Sequence, residues 1–113
     1  MTIEVNGKPV DTDGNGYLAN IEDWNEDVAA VIAADEGIEL THEHWALVNF
    51  LRDEFINNGA NQPNNRAIVK AMTAALPDAK VDSKFLYTLF PGNPSKQAAR
   101  IGGLPESRRK GGY

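Results

Sequence analysis

The stretch ELTHEHWALVNFLRDEFINNG, Glu39–Gly59, decides the fold. It reads as the longest helix of the chain, with both ends marked. Thr41 is a good N-cap, because its hydroxyl can accept a bond from one of the first unpaired backbone N–H groups. Leu40 and Trp45 are spaced to close a hydrophobic staple, and Glu43 suits the positive end of the helix dipole. Gly59 supplies the left-handed residue that ends many helices. Trp45, Val48, Leu51 and Phe55 recur at helical steps, and Leu47 and Phe50 widen the apolar face. A face this wide needs neighbours on more than one side.

The flanking sequence supplies them. Upstream, Trp24 or Asn25 opens a helix that runs to Glu36, with Val28, Val31 and Ile32 buried and Gly37 as its stop. Before it, residues 3–10 read as a β-hairpin turning at Asn6-Gly7, the pair favoured for a two-residue turn with positive φ. Pro9 marks an edge strand. Downstream, Asn64 or Asn65 caps a helix that turns Ile68, Val69, Met72 and Leu76 inward and stops at Pro77. Asp82 caps a short helix with Phe85, Leu86, Leu89 and Phe90. Asn93 caps a last helix, 94–101, with Pro94 at its first position. The expected fold is mainly α (α+β): an N-terminal β-hairpin packed on about five helices. Its centre resembles a helix-turn-helix. Residues 1–105 form the domain, and residues 106–113 form a flexible basic arm.

At 113 residues, 42% apolar and 24% charged, the chain has the composition of a single globular domain. No apolar run approaches a membrane span, and MTIEVNGK lacks a signal-peptide core, so the expected location is the cytoplasm. The charge is divided: residues 1–82 hold 5 Lys/Arg against 15 Asp/Glu, whereas residues 83–113 hold 6 against 1. A basic end on an acidic body suits an anionic partner, or docking on that body.

Three constellations could carry chemistry. Residues 11–22 match an EF-hand calcium loop, with Asp11, Asp13, Asn15, the Tyr17 carbonyl and Glu22 as oxygen donors. The context argues against a calcium site: a hairpin precedes the loop instead of a helix, and no second loop pairs with it. An acidic Gly-rich turn with Tyr17 and Leu18 reaching the core explains the same residues, and no cofactor is expected. The second constellation is a nucleic-acid-reading face of Asn65, Arg66 and Lys70, set against an ordinary αα corner with a solvated polar face. His42 and His44, two positions apart, face different sides of their helix and make a poor metal pair.

A further observation is an absence. The chain has no cysteine, which removes disulfides, thiolate metal sites and sulfur nucleophiles together.

The ordered series Glu36-Gly37-Ile38, Glu43-His44-Trp45, Leu86-Tyr87 with Leu89-Phe90-Pro91, Lys96-Gln97-Ala98 and Gly103-Leu104-Pro105 resembles the DsrC/TusE family of sulfur-carrier proteins, which includes the gamma subunit of dissimilatory sulfite reductase. The resemblance covers the whole chain. It implies the same hairpin-plus-helices fold and an arm that reaches into partner proteins. It also implies a persulfide-carrying cysteine as the penultimate residue of the arm, used in tRNA thiolation. In the sulfite-reductase branch it implies a second cysteine after Lys-Gln-Ala. Here Gly112 and Ala99 stand at those positions, and ESRRK replaces a shorter Lys-Pro-rich link.

Persulfide transfer needs a thiolate, which is both nucleophile and leaving group. The expected protein is therefore not an enzyme. It is a cysteine-less member that docks on sulfur-relay or sulfite-reductase-type proteins through Lys96, Arg100, Arg108, Arg109, Lys110 and Tyr113. The alternative is a regulator binding DNA or tRNA through Asn65, Arg66, Lys70 and the basic arm. The changed flanks of the arm favour natural divergence over engineered removal of cysteine.

Overall fold

A computed structural model describes residues 2–106. Arg108, Arg109, Lys110, Gly112 and Tyr113, and with them most of the expected arm, lie outside the described residues. Strands β1 (Thr2–Val5) and β2 (Lys8–Asp11) pair antiparallel, Ile3 opposite Val10 and Val5 opposite Lys8. Asn6 and Gly7 both take positive φ, 54° and 79°, as the Asn-Gly turn requires. A 3-10 turn, Ile21–Asp23, follows. Then come α1 (Glu26–Asp35), α2 (His42–Asn57), α3 (Asn65–Ala75), α4 (Ser83–Leu89) and α5 (Pro94–Ile101).

The core follows the predicted apolar steps, except that Val31, Trp45, Phe55, Val69 and Phe85 are only half-buried and pack against its edge. Leu47, Val48 and Leu51 of α2 are buried, with Val28 and Ile32 of α1, Ile68 and Met72 of α3, and Leu86, Leu89 and Phe90 around α4. Tyr17 and Leu18 reach into it from the turn after the hairpin. α5 packs on both α1 and α2 and brings Ala98, Ala99 and Ile101 inward.

One helix start bears out the reading of the sequence and adds a partner to it, and another overturns it. At α2, Thr41 is the cap, and its partner three residues on is His44. The Thr41 N–H donates to His44 Nδ1 at 3.1 Å, so Nδ1 accepts and the ring proton sits on Nε2, which lies 2.9 Å from the Leu89 carbonyl oxygen. The buried ring thereby ties the start of α2 to the end of α4, and its edge meets Phe90, ring centres 5.1 Å apart.

At α5 the expected cap fails. Asn93 holds the cap position with φ 146°, and its side chain bonds none of the helix's amides. Asn65 takes over: its Oδ1 accepts from the Ser95 N–H at 3.0 Å, thirty residues away in sequence. Local spacing selects a nearby Asn, whereas the packing of α3 against α5 selects the Asn that is already aimed at the amide.

Candidate functional site

The region that the resemblance singles out is the end of α5 and the segment that leaves it. α5 reads Pro94-Ser-Lys-Gln-Ala-Ala-Arg-Ile101. Ala99, at the second-cysteine position, is buried, and its methyl faces the core beside Ala98 and Ile101. The neighbouring Lys96 and Arg100 are half-buried.

Gly103 ends the helix with φ 72°. The Gly103 N–H donates to the Arg100 carbonyl at 3.1 Å and the Leu104 N–H to the Ala99 carbonyl at 3.0 Å, the paired bonds of a Schellman motif. Leu104 is buried behind it. Those bonds leave the Ile101 and Gly102 carbonyls unmet by the backbone. Two side chains from elsewhere meet them. The Trp24 indole N–H donates to the Ile101 oxygen at 2.8 Å, and Arg52 donates to the Gly102 oxygen at 2.5 Å. The Arg52 guanidinium also lies over the Trp24 ring, 3.8 Å from its centre. Burial pulls the Arg52 pKa below its ordinary value, against which the negative end of α5 favours the cation. A Cβ on Gly103 would lie 2.5 Å from Trp24 Cδ1, so a side chain there would displace the indole.

The segment stays tethered past the helix. Gln62 donates to the Pro105 carbonyl at 2.8 Å, and Asn15 donates to the Glu106 carboxylate at 2.7 Å.

Arg100 turns the other way. It pairs with Glu36 at 2.5 Å, the only ion pair among the described residues, and its guanidinium lies 4.9 Å from the centre of the Tyr17 ring. Gln97 also reaches Glu36, at 3.3 Å, and accepts from the Gly92 N–H. Burial pushes the Tyr17 phenol above its ordinary range, while the facing Arg100 cation pulls it down. Arg100 thus joins α5 to the end of α1.

The other two constellations are not assembled. In the calcium-like loop, Asp13 Oδ1 already accepts from the Asn15 and Tyr17 N–H groups, and the Tyr17 carbonyl accepts from Asp13 N–H. Asn15 is turned to Glu106, and no three His, Cys, Asp or Glu side chains group as metal ligands among the described residues. The loop is a turn held by its own donors, with Asp13 and Tyr17 supplying its internal acceptors. On the helix-turn-helix face, Asn65 is buried and committed to Ser95, and cannot reach a base edge. Arg66 and Lys70 remain exposed, the latter beside a groove of about 580 Å³ between α2 and α3 lined by Phe50, Glu54, Asn64 and Ala67. Two cations, one of them beside Glu54, are a thin basis for phosphate binding. No helix among the described residues is long and apolar enough to cross a membrane.

Sequence reading missed Trp24, Arg52, Gln62 and Asn15 as neighbours of the arm. Trp24 and Arg52 look like an amphipathic helix start and a solvated helix face, and only the 77- and 50-residue contacts to α5 reveal their role.

Known proteins share this fold. A family model described as DsrC like protein matches residues 4–109. The sulfurtransferase TusE of Yersinia pestis is 45% identical over 104 residues, 92% of this chain and 94% of that one. TusE of Escherichia coli K12 is 45% identical over 100 residues, 88% of this chain and 91% of that one. Among solved structures, Allochromatium vinosum DsrC superposes with a TM-score of 0.86 at 44% identity, covering 96% of both chains. The oxidised gamma subunit of the dissimilatory sulfite reductase of Archaeoglobus fulgidus gives 0.87 at 38% identity, covering 96% of this chain and 98% of that one.

Proposed function

This chain belongs to the DsrC-like family, and from that premise we propose that it is a docking member of a sulfur-relay or sulfite-reductase assembly that carries no sulfur itself. The reading rests on one observation: the family scaffold is kept from hairpin to Gly-Leu-Pro, while no cysteine remains anywhere in the chain and a buried alanine, Ala99, holds the α5 position. A persulfide forms only on a thiolate, and no Ser, His or Met side chain can gain and release a sulfur atom in its place. What remains is a surface and an arm, suited to occupying or regulating the docking site of a thiol-bearing relative. Lys96 and Arg100, with Arg108, Arg109, Lys110 and Tyr113 of the arm, supply the contacts, and Glu36 and Tyr17 hold the Arg100 guanidinium in place.

The test has two arms. Incubated with a persulfide donor, the protein should gain no reductant-reversible sulfur by mass spectrometry. Titrated into a complex of a thiol-bearing relative with its sulfur-relay or sulfite-reductase partner, it should displace the relative. A reversible sulfur adduct, or no displacement at any concentration, refutes the reading.

A further inference from the structure

We propose that Trp24 and Arg52 are positioning residues that aim the C-terminal arm. They do so by completing the end of α5 and fixing where the chain leaves the body. The inference takes its purpose from the docking reading; its geometry stands alone.

Five successive carbonyls, Ala98 to Gly102, have donors at this helix end. The backbone supplies the first three, from Gly102, Leu104 and Gly103. A Schellman end is complete at that point, and many helices leave their last carbonyls to water. Here Trp24 and Arg52 take the last two, from two different elements. Arg52 does so without a carboxylate partner among the described residues, and with its charge disfavoured by burial. Gly102 is hemmed in as well: a Cβ there would lie 3.3 Å from Val48 Cγ1 and 3.4 Å from Arg52 Cγ.

Fixing a helix end for stability alone would stop at buried Leu104. The tethers continue outward instead. Gln62 holds Pro105 from the α2–α3 loop, and Asn15 holds Glu106 from the turn after β2. Both bonds are exposed and bury little, so their contribution to stability is small. Two short tethers from different loops restrict direction more than they stabilise. A segment whose root is fixed gives up less orientational freedom when it docks, which raises affinity without any new contact.

The absence of native cysteine makes the test clean, because introduced cysteines are the only labelling sites. Spin labels on Thr73→Cys, exposed on α3, and Ser107→Cys report the root against the body. Labels on Thr73→Cys and Lys84→Cys report the body alone. In the full chain, Trp24→Phe and the pair Asn15→Ala with Gln62→Ala should each broaden and shift the 73–107 distance distribution, leaving the 73–84 distribution unchanged. Arg52→Lys, which keeps a cation and one donor, should fall between these variants and the parent, and Arg52→Gln should not. An unchanged 73–107 distribution in the Trp24 and Arg52 variants overturns the proposal. So does a parallel change in both distributions, which would make the role one of folding. Should Trp24→Phe fail to fold, the conservative Arg52→Lys decides. The measurement uses the free chain, so failure to dock on any partner leaves its outcome untouched.

Discussion

Two helices of this protein end in the same way and mean different things. α1 closes at Glu36-Gly37-Ile38 and α5 at Gly102-Gly103-Leu104. In each, a glycine with φ near 70° follows the cap (74° at Gly37, 72° at Gly103), and the paired Schellman bonds are present. Around Gly37 a Cβ would meet nothing within 4 Å. Around Gly103 it would meet three atoms of Trp24 inside 3 Å. The first glycine is needed for its backbone angle alone. The second is needed for its angle and its emptiness, because an indole fills the space a side chain would occupy. One end is a stop; the other is a socket from which the arm departs.

Four measurements sharpen or break that contrast. Gly103→Ala should destabilise most, by about 3 kcal/mol, summing left-handed strain with overpacking against Trp24. Chemical denaturation checks it, and a cost equal to that of Gly37→Ala would erase the distinction. Trp24→Phe should come next, at about 2 kcal/mol, for the Ile101 carbonyl left without its donor and the smaller, weaker π face under Arg52; a loss of a few tenths of that would mean water replaces the indole without cost. Gly37→Ala should lose about 1 kcal/mol, the strain alone. The smallest effect is at high pH. The buried Tyr17 phenol is held protonated above its ordinary range, so above pH 10.0 the unfolded chain releases that proton first and stability falls as pH rises. Tyrosinate absorbance of the folded protein should show one tyrosine titrating above its ordinary range. Stability that does not fall as pH rises above that value would place Tyr17 in contact with water.

Much of this was legible in the chain. The apolar steps of α2, the Asn-Gly hairpin, the Asn64 and Asp82 caps and the glycine stops each follow from chemistry within a few residues, and each appears in the structure. The EF-hand-like loop shows the limit. Its spacing satisfies a ligand pattern, but the same carboxylate and carbonyl oxygens also close a turn, and their partners lie within the turn itself. Asn65 shows the converse: a polar residue on the first turn of a helix reads as solvent-facing until another helix places an amide against it.

What the sequence determined by itself was the fold and the missing thiol. Periodicity, caps and an empty cysteine count depend only on residues and their near neighbours. What the tertiary structure alone decided was which side chains hold the root of the arm. Trp24, Arg52, Gln62 and Asn15 come from four separate stretches, and a hydrogen bond to a helix end is set by distance in space, to which spacing along the chain gives no guide.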